Sequence, residues 1–333
     1  MPTLEITTKI GCPLACSFCP QDKLSKNYFP SDKRLMSTDD FKSIIDKLPA
    51  YVRIDFSGMS EPFTNPSCID FIQYAITKPN PIAIYTTLVG ANPESVNILS
   101  RSLKASRFKM VVIHLPDDSG KMSGFKLTPN YLNAINILAP MRRVSMMTMS
   151  PNAKILPSLQ EQLLLLPNSN QIMRKLPTNP FVGLRRAGSL NTDKIDEKYL
   201  FAKTEWENAI SCRITPFYDH NVVLPDGRVL LCCMDYAMKH VIGNLLESDY
   251  VEIFESKEMG VVRSSNMSIE SAIKRRSICT YCDIAICWKP SEDALWTRRD
   301  IPPPRVSLKN QIRRKIASTY ASFMRLKFGG NEP

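Results

Sequence analysis

The sequence predicts an α/β protein: a partial (β/α)6 barrel, a TIM barrel short of two units, followed by a small cysteine-rich domain. Three observations predict it. Short β-branched apolar runs alternate with helical patterns through the first part of the chain, a rhythm that demands a parallel sheet. Cysteine-bearing turns and one hairpin signal then replace that rhythm. The ten cysteines fall in three groups, 12 to 19, 212 to 233 and 279 to 287, with Cys68 alone.

The strands are expected at "TLEITTKI" (3–10), "VRIDFSG" (52–58), "IAIYTTLV" (82–89), "FKMVVIHL" (108–115) and "VSMMTM" (144–149). Between them lie helical patterns: "STDDFKSIIDKL" (37–48), capped by Ser37 or Thr38, then "CIDFIQYAI", "PESVNILSRSL" and "NYLNAINILAPM". Cys68 falls in the second of these beside Ile69, Phe71 and Ile72, which makes it a core residue. Residues 158–191 supply a further helix and a last strand. About 200 residues of β/α units fall short of a full eight-unit barrel of ~250. "NVVLPDGRVLLCC" then reads as a hairpin, because Pro-Asp-Gly gives its turn a mechanism. The expected boundaries are 1–205 for the barrel, 206–292 for the cysteine-rich domain and 293–333 for a basic tail.

At 333 residues and 44% hydrophobic content the chain can bury a sizeable core. It has no run of eighteen apolar residues and its first residues have no apolar signal core, so a cytoplasmic location is expected. A reducing compartment turns clustered thiols from disulfide candidates into metal or redox candidates. The net charge of +11 raises nucleic acid as a partner, but no aromatic-interleaved basic motif accompanies it. Nine Lys/Arg against four Asp/Glu sit in residues 291–333. In "SLKNQIRRKIASTYASFMRLKF", Leu308, Ile312, Ile316, Tyr320, Phe323 and Met324 share one helical face with basic residues largely elsewhere. Such a helix suits an anionic membrane surface, an acidic partner or packing against the barrel as a closing helix.

In "GCPLACSFCP" the spacing is Cys12-x3-Cys16-x2-Cys19, on one loop directly after the first strand. A structural zinc site wants four ligands, and three thiols leave one position open. A cubane iron-sulfur cluster takes one thiolate per iron, so three would leave one iron exposed. With Phe18 before the last cysteine, this loop resembles that of the radical S-adenosylmethionine superfamily. The resemblance implies a [4Fe-4S] cluster on Cys12, Cys16 and Cys19. Its open iron would bind S-adenosylmethionine, whose reductive cleavage yields a hydrogen-abstracting 5'-deoxyadenosyl radical. It also implies an external electron donor such as flavodoxin or ferredoxin.

A second match, "FSGMSEP", is similar to the superfamily's glycine-rich stretch. It implies that Gly58 admits the cofactor's methionine end and that Glu61 meets its ammonium, with Ser60 where a second glycine is usual. The third and fourth strands end in "YTTLVGAN" and "IHLPDDSG", which makes Thr86, Thr87 and His114 candidates for cofactor contacts. A histidine satisfying a neighbour at a strand end is the plainer reading of His114.

Farther along come Cys212, Gly227-x4-Cys232 and Cys279-x2-Cys282, with Cys287 five positions on. Four thiolates from two segments can close around one cubane or one zinc. The pattern resembles the SPASM and twitch extensions of the same superfamily. It implies one auxiliary [4Fe-4S] cluster on Cys212, Cys232, Cys279 and Cys282, since Cys233 and Cys287 cannot complete another. Those two are packing residues, substitute ligands or hydrogen donors. Asp235 and Tyr236 in "CCMDY" are candidate bases or donors, and Arg185 and Arg186 in "GLRRAGSLN" candidate anion contacts, unless they are solvated strand flanks.

Within the resemblance, members with a single auxiliary cluster include enzymes acting on aminocyclitols and sugars, whereas peptide-modifying members often carry two clusters and a leader-binding domain. The expected reaction is therefore oxidation of a sugar, aminocyclitol or nucleotide-sugar. The alternatives are epimerisation with a cysteine hydrogen donor, peptide maturation, RNA modification by the same radical chemistry, and, from another class, a zinc-bearing module that binds RNA or a partner.

Overall fold

The computed structural model describes residues 1–120, 122–148, 154–176, 186–190, 209–215 and 217–288. Met1–Lys289 forms one compact unit; 290–333, including the basic tail, lies outside the described residues.

Five strands, β1 (Thr3–Ile6), β2 (Arg53–Phe56), β3 (Ile82–Thr86), β4 (Phe108–Leu115) and β5 (Val144–Thr148), pair in parallel and in chain order. The expected strand 82–89 stops at Thr86, whose Oγ1 accepts the Leu88 N–H at 2.8 Å while Leu88 turns to a φ of 62°. After Cys212, β7 (His220–Val223) joins the free side of β1 in parallel, and β8 (Arg228–Leu230) and β9 (Val241–Asn244) extend the sheet antiparallel. The hairpin expected from Pro-Asp-Gly is β7–β8. A separate ladder pairs β6 (Ala209–Cys212) with β10 (Ala285–Trp288).

The helices cover one face of the parallel strands. They are α2 (Thr38–Asp46), α3 (Cys68–Thr77), α4 (Pro93–Ser102), α5 (Pro129–Leu138), α6 (Pro157–Leu164) and α7 (Ser169–Met173). Ser37 caps α2 by accepting the Asp40 N–H. Leu4, Ile6, Ile54, Phe56, Ile82, Ile84, Val111 and Ile113 meet the helices' buried side chains, with Phe41 and Phe71 stacked at 4.5 Å. Cys68 is 1% exposed in this core. The strand of the sixth unit, expected before residue 191, lies largely outside the described residues. Three helices have no counterpart in the sequence reading: α8 (Lys257–Asn266) and α9 (Ile269–Lys274) in the cysteine-rich region, and α1 (Gln21–Tyr28), which follows the cysteine triad directly and buries Leu24 and Tyr28.

Period-two alternation decides what the other face carries. With Leu4, Ile6, Ile54, Phe56, Ile82 and Ile84 turned to the helices, Glu5, Arg53, Asp55, Tyr85 and His114 turn inward. The register sets Glu5 beside Asp55 and Thr3 beside His220. The barrel's inner face is therefore polar.

Candidate active site

All the superfamily-type motifs leave the C-terminal ends of the parallel strands, the edge at which barrel enzymes build their sites. The triad loop follows β1, Ser57–Pro62 follows β2, and Thr86 and Thr87 close β3. The loop after β4 packs onto the triad loop through a Cys16–Met122 bridge and a Gly124 N–H donated to Leu14 O at 2.9 Å. A Cβ on Gly124 would collide with Pro13 O and come within 2.9 Å of Leu14 Cα. Gly124 is thus required by backbone approach, a role that no local sequence signal marks.

Cys12, Cys16 and Cys19 are partly exposed on their loop. Burial, then the charges of Cys19, Cys12 and Asp117, push the Cys16 thiol up to about 12; burial also raises Cys12, beside Glu61 and Cys19. Three thiols that repel one another's charge are a donor set for a cation-rich body, which displaces their protons on binding. Gln21 Nε2 donates to Cys19 Sγ at 3.1 Å and to Met59 O. Its Oε1 is buried without a hydrogen-bond partner, as is Ser60 Oγ one residue beyond Met59. Two orphaned acceptors beside the triad fit a ligand with N–H or O–H groups to donate, as S-adenosylmethionine has.

Gly58 adopts a φ of 63°, and a Cβ there would collide with Thr7 Oγ1 and reach 3.0 Å from Thr7 N. Its N–H donates to Glu5 Oε2 at 3.1 Å. Glu61 is 5% exposed. Its Oε1 accepts from Thr86 Oγ1 at 2.6 Å and Phe63 N at 3.3 Å, and its Oε2 from Thr87 N at 2.6 Å and Thr87 Oγ1 at 2.7 Å. The structure so joins three expected cofactor residues, with the carboxylate's acceptor positions filled by its own chain. Burial still leaves its pKa above the ordinary value.

On the inner face, Glu5 Oε1 and His220 Nε2 are 2.6 Å apart, and Arg53 meets Asp55 through two 2.6 Å contacts. Burial raises the Glu5 carboxyl, but the hydrogen bond and charge of His220, with Cys233 and Ser57, outweigh it and hold the pKa low. For His220 burial is likewise outweighed, by Glu5, and its pKa is raised. His114, half-buried 6.3 Å from the Tyr85 ring, is brought down to about 4 by burial and then by the charge of Arg186, so it is neutral. Arg186 lies 6.0 Å from the Tyr236 ring centre and its Nη1 3.9 Å from Met234 Sδ; among the described residues no carboxylate pairs with it. Arg185 lies outside the described residues.

The auxiliary thiols are assembled by strand pairing. Cys212 ends β6 opposite Ala285 of β10, Cys279 and Cys282 sit just before β10, and Cys232 follows β8. The loop after Cys232 is closed by Asp235, whose carboxylate accepts the N–H groups of Lys239 at 2.8 Å and His240 at 2.7 Å. Cys212, Cys232, Cys279 and Cys282 line one apolar cavity, bordered also by Cys233 and His220. Burial and then the neighbouring thiols raise Cys232, and burial raises Cys279 to about 12. Among the described residues no three Cys, His, Asp or Glu are gathered tightly enough for a single metal ion. Four thiols around an open cavity suit a larger iron-sulfur body. Cys287 is exposed on β10. Tyr236, 3% exposed, sets its hydroxyl 3.3 Å from Cys19 Sγ, a contact across 217 residues.

Residues 212–283 match the family profile of SPASM, an iron-sulfur cluster-binding domain. Among solved structures the chain resembles BtrN in complex with AdoMet and 2-DOIA, at 17% identity and a TM-score of 0.54, covering 85% of this chain and 92% of that one. Lesser likenesses, both with a TM-score of 0.47, are to native anSMEcpe with bound AdoMet and Cp18Cys peptide, at 13% identity over 84% of this chain and 88% of that one, and to Streptococcus suis SuiB bound to precursor peptide SuiA, at 15% identity over 85% and 70%. No curated protein matches the chain. No helix among the described residues is long and apolar enough to cross a membrane. Residues 212–283 thus carry a SPASM iron-sulfur cluster-binding domain, and the cysteine triad after β1 sits in a partial barrel with the fold of BtrN.

Proposed function

We propose that the chain is a radical S-adenosylmethionine enzyme that oxidises a small polar substrate, a sugar, aminocyclitol or nucleotide-sugar, within the barrel. Residues 1–205 would form the radical domain and 206–292 the auxiliary-cluster domain. Cys12, Cys16 and Cys19 would hold the radical cluster, with Gly58, Ser60 and Gln21 around S-adenosylmethionine, and Cys212, Cys232, Cys279 and Cys282 the auxiliary cluster. When bound, these groups supply a hydrogen-abstracting radical and an acceptor for a second electron.

The observation that carries the reading is the polar inner face. Arg53–Asp55 and Glu5–His220 are internally neutral pairs whose remaining lone pairs and hydrogens suit hydroxyl and amino groups. Tyr85 and neutral His114 add donor and acceptor atoms. Arg186 then leaves one positive charge to anchor a phosphate or carboxylate on the substrate.

Anaerobic turnover with S-adenosylmethionine, reductant and candidate polyols tests this. 5'-Deoxyadenosine must form together with a product lighter by two hydrogens, and Arg186→Met must raise KM for anionic substrates only. A second reading, epimerisation, is favoured by Cys233, whose thiol lies against Glu5. It predicts a product of unchanged mass that takes one deuterium from heavy water, and loss of that product in Cys233→Ala.

A further inference from the structure

Cys19 Sγ is contacted by two residues far apart in the chain. Gln21 Nε2 lies 3.1 Å away and the Tyr236 hydroxyl 3.3 Å. The Gln21 amide has two hydrogens, and its two partners, Cys19 Sγ and Met59 O, use one each. A cysteine that ligates iron is a thiolate and only accepts, so the hydrogen shared with Tyr236 must come from the phenol. Neither donor is loosely placed. Tyr236 packs in an apolar cluster with Ile10, Leu24, Tyr28 and Met59, and Cys19 packs against the same cluster. Leu24 and Tyr28 are the buried face of α1, so the helix that begins with Gln21 is anchored there too. In such surroundings a hydrogen bond to sulfur is electrostatically stronger than in water.

We propose that Gln21 and Tyr236 are positioning residues for the triad's cluster that raise its reduction potential through Cys19, with Tyr236 the means by which the SPASM region acts on the radical site. Hydrogen bonds to ligand sulfurs disperse the charge added on reduction and so favour the reduced form. The cluster must take an electron from an external donor before any chemistry, and these two bonds make that step easier. The inference rests on the triad holding an iron-sulfur cluster, and on no particular substrate.

The test is a redox titration of the anaerobically reconstituted full-length protein, followed by electron paramagnetic resonance, on wild type, Tyr236→Phe, Gln21→Leu and Tyr28→Phe. A Cys12, Cys16 and Cys19 triple alanine variant identifies which signal belongs to the triad. Tyr236→Phe keeps the ring and its packing, so the iron content should hold. We expect both Tyr236→Phe and Gln21→Leu to shift the triad's midpoint downward while the auxiliary signal stays in place. Tyr28→Phe is the control: its hydroxyl donates to Lys33 O at 2.7 Å in the same apolar cluster, away from the sulfur. An unmoved midpoint in Tyr236→Phe overturns the proposal, and so does an equal shift in Tyr28→Phe. A triple variant that keeps its full iron and both signals overturns the cluster assignment itself, a different failure.

Discussion

Glu61 Oε2 accepts both the backbone N–H and the hydroxyl of Thr87, at 2.6 and 2.7 Å, and so ties the loop after β2 to the end of β3. With Thr86 and Phe63 on Oε1, four donors depend on one buried carboxylate. Glu61→Gln supplies a single acceptor oxygen and points two hydrogens at existing donors. Stranding buried donors costs about 1–3 kcal/mol each, so a loss of about 2–4 kcal/mol is expected. Thermal unfolding of the cluster-free protein measures it. Iron content after reconstitution should stay near wild type, whereas S-adenosylmethionine should bind more weakly.

Gly58→Ala should act on the cofactor more than on the fold. The added Cβ collides with Thr7 Oγ1, and the φ of 63° already disfavours a side chain. The displaced loop carries the Gly58 N–H away from Glu5 and Ser60 away from the triad. We expect a destabilisation of about 1–3 kcal/mol and at least a tenfold loss of S-adenosylmethionine affinity by equilibrium dialysis.

What the sequence made legible follows from distance along the chain. The triad lies within eight residues, and the β7–β8 hairpin is set by Pro-Asp-Gly, so both read locally. Glu61 was legible as a carboxylate beside the cofactor stretch, but its engagement by Thr86 and Thr87 depends on the parallel register of β2 and β3. The inward set Glu5, Arg53, Asp55 and Tyr85 was readable in principle from alternation, since apolar residues flank the first three and Ile84 precedes Tyr85. Knowing that the face is a shared lumen needed the sheet. Glu5–His220 spans 215 residues and Tyr236–Cys19 spans 217, and no spacing rule reaches that far. Helix α1 escaped because "QDKLSKNY" is largely polar and buries only Leu24 and Tyr28.

The ligand count is open to direct measurement. Alanine at Cys12, Cys16 and Cys19 should take iron from about eight per chain to about four, and alanine at Cys212, Cys232, Cys279 and Cys282 should do the same. Cys233→Ala and Cys287→Ala should keep about eight, since the first lies against Glu5 and the second is exposed on β10. Iron below about six in Cys287→Ala would make it a ligand in place of one of the four.

The Glu5–His220 pair gives stability a defined pH window. His220 is raised above its ordinary 6.5, so its contribution is complete below 6.5 and fades as pH climbs through the folded value. Glu5 is lowered below its ordinary 4.5, so its contribution is complete above 4.5 and fades as pH falls through the folded value. The two overlap fully between 4.5 and 6.5. Glu5→Gln keeps the shape and an acceptor oxygen while removing the charge, leaving His220 buried beside a neutral partner. The gap in melting temperature between wild type and Glu5→Gln should therefore be widest between those limits. It should narrow on the alkaline side as His220 loses its proton, and on the acid side as Glu5 gains one. Melting curves of the cluster-free protein from pH 4 to 9 read this directly, and a gap constant across the range would show that the pair is held by packing rather than charge.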